Sequence, residues 1–360
     1  MKKIEGLTPQ FASDNWSGIC PEAWVALAEA NAGHAPAYGG DDWTAAGVAA
    51  IRELFETECD VFFVFTGTAA NSIGLSAMAR NTDAIICHAH SHINVDECGA
   101  PHFFSGGAKL VTAETPNAKL TPEVIVQLAT TPHDVHSARP SVVSLTQSTE
   151  HGTVYTPLEM WQIAEVAHAR GMTVHVDGAR FANAVASLDC APADIAWRAG
   201  VDALSLGGTK NGLPFGEAIV FFDRRLAEEF GRRRMQGGQL ASKMRYLAAP
   251  WSSVLQSGAW LRYATHANAM ATRLAEGIAD VPNTRLLAPV EANGVFVDVP
   301  QSMIAALRER GWQFYEFIGA TGIRLMCSWD MTPEIVDALV ADIRKLAHAP
   351  VIEDTGAARK

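Results

Sequence analysis

The sequence predicts an α/β protein with a mostly parallel sheet sandwiched by helices, followed by a smaller C-terminal α+β domain. Three observations predict it. From Asp41 to Phe222, short β-rich runs alternate with alanine-rich helical stretches. The runs are nearly continuous apolar stretches, the pattern of strands covered on both faces. After Phe222 the texture changes to long helical stretches and then to short mixed elements.

The expected strands are Val61 to Thr66, Ala84 to His88, Leu110 to Ala113, Val142 to Thr146, Thr173 to Val176, Ala203 to Leu206 and Ala218 to Phe222. Helices fall between them at Trp43 to Glu58, Ala69 to Ala79, Thr121 to Ala129 and Pro157 to Arg170. Pro122 sits in a first turn, where a missing N–H does no harm, and Gly171 is a stop signal. Two long helices are expected next, Arg224 to Tyr246 and Ser252 to Ile278, broken at Ala249-Pro250 because proline disfavours helical geometry in the residue before it. Gly294 to Val299, Trp312 to Phe317, Ile323 to Ser328 and a helix from Pro333 to Leu346 make up the small domain. The implied organisation is an N-terminal arm over 1–22, a large domain over 23–250, a small domain over 251–350 and a tail over 351–360.

The 360 residues suit two domains at roughly 150 residues each. Hydrophobic residues are 48% and charged residues 19%, an ordinary globular composition far from that of a disordered chain. The net charge of −11 argues against nucleic-acid or anionic-membrane partners. No apolar stretch approaches the roughly 20 residues that span a bilayer, and the opening residues lack the apolar region of a leader. The expected location is cytoplasmic. The six cysteines have no CxxC spacing and read as reduced, mostly buried thiols. Arg232-Arg-Arg234 reads as a solvated helix face.

Three segments carry chemistry. Thr66-Gly-Thr-Ala-Ala-Asn71 joins an apolar strand to a helix, where free N–H groups and the helix dipole favour a phosphate; a plain turn with a threonine cap would look the same. His175-Val-Asp177-Gly-Ala-Arg180 puts a carboxylate at a strand end, facing the crevice where open α/β sheets bind ligands, or else capping the next helix. Asp202-Ala-Leu-Ser-Leu-Gly-Gly-Thr-Lys210-Asn-Gly-Leu-Pro sets a lysine in a glycine-rich turn past an apolar strand. A lysine in a dry crevice has a lowered pKa and can form a Schiff base. The spacing 210 − 177 = 33 is one crossover unit, so Asp177 and Lys210 can share one crevice. A carboxylate for a pyridinium nitrogen and a lysine for an imine are what pyridoxal phosphate requires of a protein.

Taken in order, SDN at Ser13 to Asn15, YGGDDWT at Tyr38 to Thr44, TGTAAN, SHINVDE at Ser91 to Glu97, HVDGAR and SLGGTKNG resemble the threonine aldolase family, with its pyridoxal phosphate-dependent fold type I. The resemblance runs from about Phe11 to the final helix. It implies Lys210 as the Schiff-base lysine and Asp177 as partner of the pyridine nitrogen. It implies Arg180 near the ring hydroxyl and substrate carboxylate, Gly67 and Thr68 at the phosphate, and His92 stacked on the ring. Ser13 and Arg324 match positions holding the substrate carboxylate, Glu97 matches an acid near the active site, and Tyr38 lies in the stretch that reaches a neighbouring subunit's site. One departure is visible. Many members have a histidine in the loop after the fourth strand, where Gln147-Ser-Thr-Glu-His-Gly152 sets Thr149 or Glu150, with His151 beside it.

The resemblance therefore implies cleavage of L-β-hydroxy-α-amino acids, with threonine, allo-threonine or phenylserine side chains, to glycine and an aldehyde. His92, or a water it holds, is the expected base, oriented by Glu97. The expected assembly is a homotetramer, a dimer of dimers with sites at the dimer interface. β-Elimination and transamination are the alternatives on the same fold. A metal-dependent hydrolase is the alternative from another class, since Cys87-His-Ala-His-Ser-His92 follows a strand and Asp96 or Glu97 could complete a metal site. A hydrolase barrel needs eight strand–helix repeats, however, and the last third of the chain abandons that rhythm. No metal is expected. A non-enzymatic scaffold is disfavoured because glycine-flanked polar groups at strand ends are costly to bury without a ligand.

Overall fold

The computed structural model describes residues 10–130 and 134–347; the first nine residues of the expected arm and the expected tail lie outside them. All seven expected strands form: β1 (Asp60–Val64), β2 (Asp83–His88), β3 (Lys109–Ala113), β4 (Arg139–Thr146), β5 (Thr173–Gly178), β6 (Ala203–Leu206) and β7 (Glu217–Phe221). They make one sheet in the order β1-β7-β6-β5-β4-β2-β3. Neighbours from β6 to β3 are parallel, and only β7 runs against its two partners. β2, β6 and β7 are buried at every residue, which explains why their runs are nearly continuously apolar.

The register fixes the site. Thr146 of β4 pairs with Asp177 of β5, and Asp177 pairs with Ser205 of β6. These three polar side chains therefore line up across adjacent strands at their carboxyl ends, the edge where parallel sheets bind ligands. The helix Gly67–Met78 begins at the same edge, capped by the Thr66 side chain, which accepts from Ala69 N–H. Such a cap is worth about 1 kcal/mol.

The second half differs from the expectation in several places. Arg224 to Tyr246 is not one helix: a short turn, Arg224–Ala227, and a helix, Phe230–Gln236, end where Gly238 adopts φ +68°. Pro250 does not separate neighbouring helices but lies inside Arg245–Gln256. The break falls instead at Gly258, with φ +68°, before the helix Ala259–Ile278. In both places a left-handed residue stops the helix, and glycine takes that conformation at little steric cost. The arginine run is not wholly solvated either. Arg233 reaches Ser76 Oγ, and the Arg234 guanidinium lies 5.2 Å from the centre of the Phe62 ring.

The small sheet has the order β10-β11-β9-β8, all antiparallel, from β8 (Arg285–Leu286), β9 (Gly294–Asp298), β10 (Tyr315–Ile318) and β11 (Gly322–Met326). Trp312 precedes β10 rather than joining it, and is buried beside Phe11 with its indole N–H on Asp342. The helices Gln301–Glu309 and Pro333–Ala347 cover this sheet. A main-chain ladder draws in the arm: Phe11 N–H donates to Gln313 O at 2.7 Å, and Met326 N–H donates to Phe11 O at 2.8 Å. The arm then turns at Ser13–Asp14 toward the large sheet.

Candidate active site

The strand ends open on a cavity with two lobes that share Asn15, Gly67, His92, Asp177, Ala179 and Lys210. Ser13, Arg180 and Arg324 line one lobe, and Thr68 lines the other. Eight of the ten sequence-predicted site residues thus meet on one cavity. Glu97 is buried behind His92, and Tyr38 is exposed, outside the lining.

The turn bearing Lys210 needs its glycines. A Cβ at Gly207 would lie 2.5 Å from Ala179 O, and one at Gly208 would lie 2.7 Å from the Trp251 ring. This close approach seats Lys210 beside the strand end that carries Asp177, and Gly207 N–H secures it on Gly178 O at 3.0 Å. Burial, reinforced by the charge of Arg180, lowers the Lys210 pKa. Below the turn, buried Glu217 accepts from Gly208 N–H. Burial pushes its carboxyl up, which reduces negative charge in the lobe at the N-terminus of Gly67–Met78.

Asp177 is no helix cap. Its Oδ1 accepts from Ala179 N–H at 3.0 Å, and its Oδ2 accepts from Asn71 Nδ2 at 2.7 Å, whereas Arg180 occupies the cap position of the next helix. The same Asn71 amide donates to Glu97 Oε1 at 2.8 Å, and that oxygen lies 2.8 Å from His92 Nδ1. Asp177, Asn71, Glu97 and His92 are thus one continuous chain. The hydrogen bond to Glu97 raises the His92 pKa, and burial raises that of Glu97. Both shifts favour a proton held between them.

Arg180 spends Nε and Nη2 on Asp14, at 2.7 and 3.0 Å, and Asn293 adds a bond to the same carboxylate at 3.1 Å. Burial works against the Asp14 charge, but Arg180 and Lys210 hold its carboxyl below the ordinary range. Arg324 has no such partner. Its Nη2 reaches Ala12 O at 3.3 Å, its Nε is buried without a protein acceptor, and its guanidinium stacks 4.9 Å from the Phe317 ring centre. Burial, with Arg180 nearby, brings its pKa down to about 10. A guanidinium held this way seeks an anion.

The three histidines of the HAHSH segment go to three different partners. His88 sits on the Thr115 backbone, His90 Nδ1 meets His151 Nε2 at 2.8 Å, and His92 binds Glu97. They do not form the ligand set of a hydrolase. His92, Glu97 and Asp177 do set one ligand atom each within 4.8 Å of one another, but the Asn71 amide already bonds both carboxylates.

The sequence matches the beta-eliminating lyase family over residues 10–302. It is 57% identical over 342 residues to the low specificity L-threonine aldolase of Pseudomonas aeruginosa, covering 95% of this chain and 99% of that one. The chain belongs to the threonine aldolases of the beta-eliminating lyase family. The low specificity L-threonine aldolase of Escherichia coli is 28% identical over 81% of this chain and 85% of its own length. The solved threonine aldolase of Leishmania major superposes with a TM-score of 0.89 at 29% identity, over 94% of this chain and 99% of that one.

Within this threonine aldolase, sequence reasoning passed over Asn71, Asp14 and Glu217. Asn71 had a signal, as a polar residue in the otherwise apolar and small start of a buried helix. Asp14 was hidden in the SDN segment behind Ser13. In the loop after β4, His151 turns away to His90 and Phe296. Glu150 is the ionisable loop residue on the cavity, its Oε1 accepting from His92 N–H and Thr146 Oγ1 at 2.8 Å each.

Proposed function

We propose that this protein uses pyridoxal phosphate to cleave L-β-hydroxy-α-amino acids, L-threonine and L-allo-threonine among them, to glycine and an aldehyde. One observation carries the reading: the Lys210 amine, the Asp177 carboxylate and the Arg324 guanidinium, with its unpartnered Nε, converge on one cavity. The residues present fit the cofactor. Gly67 and Thr68 at a helix N-terminus, with Ser205 and Thr209, line the lobe that suits a phosphate. Lys210 would hold the cofactor covalently, and Asp177 would keep its ring nitrogen protonated. When bound, the cofactor supplies a conjugated cation that draws in the electron pair of the broken Cα–Cβ bond.

The chain's own residues do the rest. A lowered Lys210 pKa keeps more of the amine uncharged and nucleophilic at neutral pH. Arg324, assisted by Ser13, grips the substrate carboxylate, and this grip orients the bond to be broken. Arg180, locked on Asp14, lends positive charge to the same lobe without moving. His92, with Nδ1 committed to Glu97, lines both lobes and would lie against the cofactor ring. The β-hydroxyl proton has two candidate acceptors in the wall, His92 Nε2 and the Glu150 carboxylate.

The same reading takes the protein as a cytoplasmic homotetramer. The free state of all six cysteines supports the location. Tyr38 supports the assembly: it is 57% exposed on a turn whose N–H is tied to Ser242 O, clear of its own chain's cavity, so a neighbouring site is where it can serve. The test is to purify the protein with pyridoxal phosphate and measure glycine and acetaldehyde from L-threonine. Borohydride reduction and peptide mapping should then mark Lys210. Absence of aldehyde release, or a label on another lysine, overturns the reading.

A further inference from the structure

Glu150 stands where the chain departs from the family pattern, and its carboxylate is asymmetrically held. Oε1 accepts two hydrogen bonds, from the His92 backbone and the Thr146 hydroxyl, which fix the side chain in the cavity wall. Oε2 is buried and has no protein donor. A buried carboxylate oxygen without a donor is costly, so a native structure that keeps one has a use for it. We propose that Glu150 receives the β-hydroxyl proton of the substrate when the Cα–Cβ bond breaks.

The step balances within the reading given above, on which it rests. The substrate O–H bond breaks and an O–H bond forms on Glu150. The released pair makes the second bond of the aldehyde carbonyl, and the Cα–Cβ pair stays with Cα, which takes up one proton to become glycine while Glu150 gives one back, so no net proton is gained or lost.

The electrostatics favour Glu150 over His92. Burial, reinforced by Asp177, pushes the Glu150 carboxyl up to about 7, so near neutrality it can both take and return a proton. The hydrogen bond to Glu97 raises the His92 pKa, which leaves that ring more often protonated and unable to accept. The titratable and charged groups facing Glu150 are His92, Asp177, Arg180, Cys87 and Tyr155. Among these, Asp177 pushes the carboxyl up and Arg180 is the one permanent cation.

The experiment compares Glu150→Gln with the wild-type holoenzyme on two reactions. Acetaldehyde release from L-threonine needs the hydroxyl proton to leave, whereas exchange of the glycine α-proton with D2O, followed by NMR, involves no hydroxyl. Glutamine keeps an oxygen for His92 N–H and Thr146, so the loop is retained. The expected result is a kcat for L-threonine lowered about a hundredfold or more, with the cofactor's absorbance kept and glycine exchange within about threefold. Loss of both reactions together would assign Glu150 to holding the loop and overturn the proposal, as would an unchanged kcat. A second variant, Thr146→Val, removes one donor to Oε1 and raises the Glu150 pKa. The rise of kcat with pH should then move upward by about half a unit or more, and an unmoved profile overturns the proposal independently. If the wild type neither exchanges glycine nor releases aldehyde, the functional reading itself fails, an outcome distinct from any result with the variants.

Discussion

Asn71 and Asp177, 106 residues apart in the chain, are joined by a 2.7 Å hydrogen bond that leaves the other amide hydrogen of Asn71 for Glu97. One neutral side chain thus spaces two buried carboxylates and serves both. Asn71→Ala should strand both at once. Each lost bond to a charged group is worth about 1.5 to 3 kcal/mol, so kcat should fall about a hundredfold or more and cofactor affinity should drop with it. Kinetics with a cofactor titration check this; an effect on kcat below tenfold would show that the carboxylates find other donors.

Asp177→Asn cannot be a quiet substitution. Its carbonyl would stay on Ala179 N–H, turning the new amide donors toward the donors of Asn71. The variant also loses the charge opposite the ring nitrogen. Removal of one such stabiliser costs about 2.7 to 4 kcal/mol in activation free energy, or about two to three orders of magnitude in kcat. A variant within a few-fold of wild type would leave Asp177 with only its turn-forming bond.

Arg324→Ala should act on substrate binding. Truncating one partner of a buried, hydrogen-bonded charge pair costs about 2 to 5 kcal/mol, so kcat/KM for L-threonine should fall at least about thirtyfold, most of it in KM. Arg324→Lys should not restore it, because an ammonium cannot reproduce the planar stack on Phe317 with a two-pronged grip. Full rescue by lysine would reduce the role to a point charge.

His175 gives a pH-dependent stability with a definite sign. It is fully buried between the Ser144 and Ser205 hydroxyls, and burial pushes its pKa down to about 4 from 6.5. Between those values the unfolded chain binds more protons than the folded one, so this group destabilises the fold as pH drops. By pH 4.5 the effect is about 2 to 3 kcal/mol. Urea unfolding of wild type and His175→Gln at pH 7 and pH 4.5 should show the wild-type advantage shrinking at the lower pH. An equal advantage at both would mean that the imidazole charges without cost.

The strands were legible because β2, β6 and β7 are apolar on both faces, and the site was legible where glycines flank a polar group, as at Asp177 and Lys210. The helical stretches after Phe222 were less so. Periodicity there runs on through Gly238 and Gly258, and only the folded backbone reveals which glycines take a left-handed turn. Pro250 misled for the converse reason: the helix Arg245–Gln256 tolerates it in its interior, among buried neighbours such as Trp251 and Val254. Asp14 owes its role to Arg180, 166 positions away, which leaves no local pattern, and Asn71 showed only as a polar residue at the start of a helix of small residues.

The path of the arm has a consequence for the nascent chain. Phe11 is clasped by Gln313 and Met326, and Arg324 touches Ala12 across a separation of 312 positions. Ser13 and Asp14 therefore reach their final places only after residue 326 has been synthesised. Apart from Asn15 on the arm, the lobe at Gly67–Met78, with Lys210 and Asp177, is lined by residues up to Glu217, whereas the carboxylate grip awaits contacts of the longest sequence separation, which are slow to close. On the ribosome, the capacity to hold a phosphate should precede the capacity to hold an amino acid.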